Sequence, residues 1–125
     1  MSGGWEESPL RAKLRRGLTT AMKAGDAVAV SVLRTSLAAI DNAEAVAVAP
    51  ERRTGEGPIA GAVAGQGAGD VARRDLSETE IRAIVSGELT ERRAAAALYR
   101  ELGREQEADS LLLEADILAS VLNDT

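Results

Sequence analysis

Leu76-Ser77-Glu78-Thr79-Glu80-Ile81-Arg82-Ala83-Ile84-Val85 is the stretch that decides the fold. Ser77 and Glu80 have the spacing of a capping box. In that arrangement the hydroxyl accepts the amide three residues on, and the carboxylate reaches back to the amide of the cap. Ile81, Ile84 and Val85 follow at helical intervals, so a helix starts here and runs to about Leu102, where Gly103 breaks it. Beyond that break Ala108, Leu111, Leu112, Ala115, Leu118 and Leu122 repeat every three or four residues, which predicts a second helix and hence a helical hairpin over 76–122.

Upstream, residues 46–75 change character. Gly55, Gly57, Gly61, Gly65, Gly67 and Gly69 sit among Ala, Pro50 and Pro58 with no sustained period, which reads as a flexible linker. Gly61-Ala62-Val63-Ala64-Gly65-Gln66-Gly67 lacks the Gly-Lys-Ser/Thr ending of a phosphate loop, and its glycines lack dinucleotide-binding spacing. Before the linker lies another hairpin. Ser8 is placed as an N-cap and Pro9 at the first helical position. Leu10, Leu14, Leu18, Ala21 and Met22 form one stripe, and Gly25 stops the helix. Asp26 then caps a helix with Val30, Leu33, Leu37 and Ile40 on its stripe, fading near Ala45. Val28, Val30 and Val32 alternate as a short strand would, but they sit inside the longer helical period. The expectation is an all-α chain: a flexible stretch over 1–8, one hairpin over 9–45, the linker over 46–75 and a second hairpin over 76–122. The two apolar faces should pack on each other or on a partner.

Composition removes most catalytic chemistry. The chain of 125 residues contains no His and no Cys, so it has no disulfide framework, Cys/His zinc site, Cys nucleophile or His-based triad. No catalytic, cofactor-binding or metal-ligating set is expected. Ser or Thr nucleophiles could be activated only by Lys13 or Lys23, and no motif supports that pairing. The aromatic residues are Trp5 and Tyr99, too few for a base-stacking platform. The acidic start, Glu6-Glu7, lacks the basic and apolar regions of an export signal, and the uncharged run from Gly57 to Gly69 is too rich in Gly, Pro and Gln to span a bilayer. A cytosolic protein without a membrane segment is expected.

Charge is distributed unevenly. Residues 1–25 carry five basic and two acidic side chains, a net +3, while 103–125 carry one basic and six acidic, a net −5. On a helical wheel Lys13, Arg16 and Lys23 fall opposite the leucine stripe, either as a solvated face or facing phosphate or an acidic protein surface. Other charges lie inside the stripes. Glu88 and Arg92 fall between Val85 and Ala95 on the buried face, four residues apart in the favourable acid-first order, and should pair. Glu44 ends the stripe of the second helix, and Arg104 and Glu107 open that of the fourth. A charge on an apolar face needs a partner or a ligand, so these positions are either an internal ion-pair cluster or a polar groove facing a ligand. Glu105, Asp109, Glu114 and Asp116 read as solvated surface rather than a cation site.

Ala21-Met22-Lys23-Ala24-Gly25-Asp26, then Leu33-Arg34 with Leu37, Ile40 and Glu44, resembles the opening helices of the GatB/YqeY family, the YqeY-like proteins related to the tail region of the B subunit of tRNA-dependent amidotransferase. The second half is similar through Leu76-Ser77, Glu80-Ile81, Glu88, Arg92, Tyr99, Gly103-Arg104, Glu107, Glu114, Ile117-Leu118 and Val121-Leu122. The resemblance covers about 9–45 and 76–122. The linker is longer than the family's connection, and no counterpart of the small helical tail domain that follows the fourth helix in the family is expected within these 125 residues. The resemblance implies one YqeY-like domain over 9–122, an accessory role near tRNA or an amidotransferase, and contacts at Lys13, Arg16, Lys23, Arg34, Arg92 and Arg104. By kinship alone it also implies carbon–nitrogen ligase activity with glutamine as amido donor, although the chain shows no amidase Ser-Lys signature. The alternative reading is a protein-interaction or dimerisation bundle without nucleic-acid binding, in keeping with an alanine-rich core that buries little area per helix.

Overall fold

The computed structural model describes residues 7–46 and 75–123, which form α1 (Pro9–Ala24), α2 (Ala27–Val46), α3 (Glu78–Glu101) and α4 (Glu105–Asn123), with no strand among them. The all-helical expectation holds, and the valines near position 30 belong to a helix. The glycine-rich residues 47–74, which make up most of the expected linker, lie outside the described residues, as do residues 1–6 of the expected flexible N-terminus.

Three of the four helices begin where side chains satisfy orphan amides. The Ser8 hydroxyl accepts from Arg11 N at 3.0 Å, with Pro9 on the first turn, and Asp26 Oδ1 accepts from Ala29 N at 3.1 Å. The capping box at α3 is complete: Ser77 Oγ accepts from Glu80 N at 3.0 Å, and Ser77 N donates to Glu80 Oε1 at 2.8 Å. Ser8 also donates its hydroxyl to Glu78, so the last residues of the stretch expected to be flexible are tied to the start of α3.

Both hairpins close with the same device. Gly25 (φ 71°) and Gly103 (φ 80°) adopt the left-handed conformation. Around them Asp26 N donates to Ala21 O at 2.9 Å and Arg104 N to Tyr99 O at 2.8 Å, closing the Schellman turns that fold each helix back on its neighbour. A Cβ at Gly25 would meet nothing within 4 Å, so only backbone strain selects glycine there.

α1 packs on α2 and α3 on α4, and α2 contacts both helices of the second hairpin. The N-terminus of α1 meets that of α3 through Ser8 and Glu78, and the C-terminus of α4 returns beside α1, so chain direction alternates up and down through the bundle. Leu10, Leu14, Val32, Leu33, Ile40, Ile81, Val85 and Leu118 form the shared core. The rest of the α3–α4 seam is built on Ala96, Ala108 and Ala115, all buried, which lets the two axes come close. Met22, expected on the apolar stripe, is instead 53% exposed because it flanks the α1–α2 seam rather than entering it. Conversely, Ser36 is fully buried in the core stripe of α2, and its hydroxyl has no hydrogen-bond partner among the described residues.

Two substitutions should therefore move stability in opposite directions. Gly25→Ala should cost about 1–2 kcal/mol from left-handed strain, whereas Ser36→Ala should leave stability unchanged or raise it by up to about 1 kcal/mol, since an orphaned buried hydroxyl is removed. Paired thermal melts check both signs.

Candidate functional site

The charges inside the apolar seams are paired within the chain. Arg92 Nη1 donates to Glu88 Oε1 at 2.8 Å, as the acid-first spacing predicts, and also to the Glu88 carbonyl at 3.1 Å. Its Nε donates to Glu114 Oε1 at 2.8 Å, so one guanidinium spans α3 and α4. Glu114 is thus not the solvated surface residue that spacing suggested. Its side chain is 23% exposed and faces α3, because the antiparallel return of α4 brings it level with Arg92. Burial by itself pulls the Arg92 pKa down, but the hydrogen bonds and charges of Glu88 and Glu114 outweigh it and hold the guanidinium above the ordinary arginine range. A raised pKa stabilises the folded form fully below the unfolded value, and the contribution is lost only as pH rises through the folded one. From the arginine side, this tie is therefore constant across neutral pH.

Glu44, the charge that closes the stripe of α2, is 7% exposed and accepts from Arg11 Nη2 at 2.7 Å, with Asp41 3.9 Å from the same nitrogen. Arg11 was not singled out from the sequence, where the basic residues of α1 read as an outward set. Its position beside Leu10, three residues before Leu14, was the available signal: a hairpin puts the first turn of α1 next to the last turn of α2. Arg11 Nε is buried and has no hydrogen-bond partner among the described residues.

Lys13 corrects the expectation of an outward-facing cation. Its Nζ donates to Val121 O at 3.1 Å, and Arg82 Nη1 donates to Leu122 O at 3.2 Å, so two cations from different helices meet the last carbonyls of α4. Those carbonyls are orphaned by the end of the helix and carry the negative pole of its dipole, which favours cationic donors. Arg104 and Glu107, expected to open the buried stripe of α4, are both exposed. They pair with each other at 3.3 Å, and the Arg104 guanidinium lies 5.4 Å from the Tyr99 ring centre. The α4 stripe opens one residue later, at the fully buried Ala108. Arg100 reaches Glu105 and Asp109 at 3.3 Å each, in an exposed cluster.

The remaining candidates, Arg16, Lys23 and Arg34, are exposed and have no ion pair among the described residues. Arg34 lines an open depression of about 670 Å³ with Met22, Gly25, Val30 and Ser31 at the α1–α2 turn. A second depression, of about 490 Å³, runs between the first hairpin and α4. The structure therefore splits the expected contact residues in two. Arg92, Lys13 and Arg104 are engaged internally, while Arg16, Lys23 and Arg34 stand free on the first hairpin.

Among the described residues no group of three or more acidic side chains is placed to hold a metal ion, and no helix is long and apolar enough to cross a membrane. No protein-family model, curated protein or solved structure matches the chain.

Arg92→Ala should destabilise the fold by about 1–3 kcal/mol, because Glu88 and Glu114 are left facing each other in a partly buried seam. Arg100→Ala, at an exposed pair, should change stability by less than about 0.5 kcal/mol. Chemical denaturation of the two variants beside the parent chain checks the contrast.

Proposed function

We propose that this chain is a YqeY-like accessory module, a single helical domain over 9–122 that works by binding rather than by catalysis and associates with tRNA or with a tRNA-dependent amidotransferase. The observation that carries this reading is the free cationic set on the first hairpin, Arg16, Lys23 and Arg34, left over after the other candidate cations are engaged inside the fold. The sequence resemblance supplies the partner. Arg16 and Lys23 lie seven positions apart on the outward face of α1, two turns along one side, while Arg34 flanks the same hairpin from α2.

Three cations make a weak nucleic-acid contact. If all three meet phosphate, the log–log salt slope should be about −2 to −3, and affinity should depend on a partner holding the RNA in place. Titrating tRNA at low and moderate salt against the parent chain and an Arg16→Glu/Lys23→Glu/Arg34→Glu variant tests the reading. Binding with that slope, abolished in the variant, supports it. No affinity at either salt, or affinity unchanged by the charge reversal, removes the nucleic-acid branch.

A second reading is favoured by a different observation. Leu98 on α3 and Leu102, the residue that caps its C-terminus one turn on, are 57% and 62% exposed, and Leu113 on α4 is 50% exposed. Apolar side chains left in water on the second hairpin suit a protein partner or a second copy. Sedimentation at several concentrations, with Leu98→Glu/Leu102→Glu as the control, separates self-association from a strict monomer.

A further inference from the structure

We propose that the groove between the first hairpin and α4 is a docking site for a cationic amphipathic helix of a partner protein. The inference goes beyond the function proposed above and uses none of the cations on which that function rests.

Lys13 ties the start of α1 to the end of α4 through Val121 O. One, two and three turns further along α1, the residues on that same side are Gly17, Thr20 and Ala24, too small to fill the space to α4. The result is an open groove of about 490 Å³ with Ala21, Ala29, Leu33 and Ile117 along it. A floor of small residues accepts the larger knobs of an incoming helix, the pattern by which amphipathic helices enter grooves.

Charge decides which helix fits. Asp26 and Asp116 line the groove, both exposed, and neither has a cationic partner among the described residues. Asp26 Oδ1 accepts the Ala29 amide, and the residue remains exposed. A leucine-faced helix flanked by Lys or Arg therefore finds both an apolar floor and two unpaired carboxylates, whereas an acidic helix meets like charge at both.

The test uses the full chain, isotope-labelled, and two synthetic peptides of about 18 residues with leucines at helical spacing, long enough to cross the bundle. One peptide carries lysine at every other position, and the other carries glutamate there. The lysine peptide should bind and shift the amides of Gly17, Ala24 and Ser120, and the glutamate peptide should bind at least about tenfold more weakly. Ser120→Trp, which fills the groove from an exposed position, should weaken the lysine peptide by about tenfold or more, and Asp116→Lys by about threefold or more. A melt for each variant verifies folding, and Asp116→Lys stands if the tryptophan is not tolerated. No binding, equal affinity for both peptides, shifts confined to Leu98 and Leu102, or full affinity in a folded Asp116→Lys chain would overturn the proposal. So would tRNA moving the groove amides in place of the peptide.

Discussion

Arg92 donates to Glu88 on its own helix and to Glu114 on the next, and the second hairpin depends on that double contact. The seam around it is lined with Ala96, Ala108 and Ala115, which bring the axes close but remove little apolar surface from water. An alanine seam also tolerates sliding, since one small side chain packs much like another a turn away. A guanidinium held at 2.8 Å by carboxylates on both helices has no equivalent partner one turn up or down, so it fixes the register that the alanines leave open.

The same logic operates at the end of the bundle where α1 and α3 start and α2 and α4 stop. Arg11 holds Glu44, Ser8 holds Glu78, and Lys13 and Arg82 hold the last carbonyls of α4. All four contacts lie in the terminal turns of helices, and those of Lys13 and Arg82 also satisfy backbone carbonyls that lack intrahelical partners while joining elements. The opposite end is closed by two glycine turns and has no comparable ties between hairpins among the described residues. Surface chemistry is divided in the same way among the described residues: unpaired cations on the first hairpin, exposed leucines on the second, and a groove lined by Asp26 and Asp116 where the first hairpin meets α4.

Local signals were fully legible in the sequence. The capping box at Ser77 and Glu80, the proline and serine that open α1, and the glycines that end α1 and α3 each act through neighbours a few residues away, and each appears where spacing placed it. The Glu88–Arg92 pair was legible for the same reason. Contacts between helices were not. Glu114 read as surface and Lys13 as an outward cation because a wheel describes one helix and is silent on which neighbour covers its flank. Met22 and Arg104 failed in the other direction: both lie near the edge of a stripe, where a small rotation of the helix decides between seam and solvent. Ser36 shows that burial can override polarity, since its place in the α2 stripe is set by Val32, Leu33 and Ile40 around it.

If charges within the seams are structural ties, the most direct measurement is a double-mutant cycle on Arg92 and Glu114, using Arg92→Ala, Glu114→Ala and the double variant in chemical denaturation. A coupling energy of about 1 kcal/mol or more is expected for a partly buried charge-assisted pair joining two helices. Additivity to within about 0.3 kcal/mol would contradict it and would mean that α3 and α4 keep their register without the guanidinium.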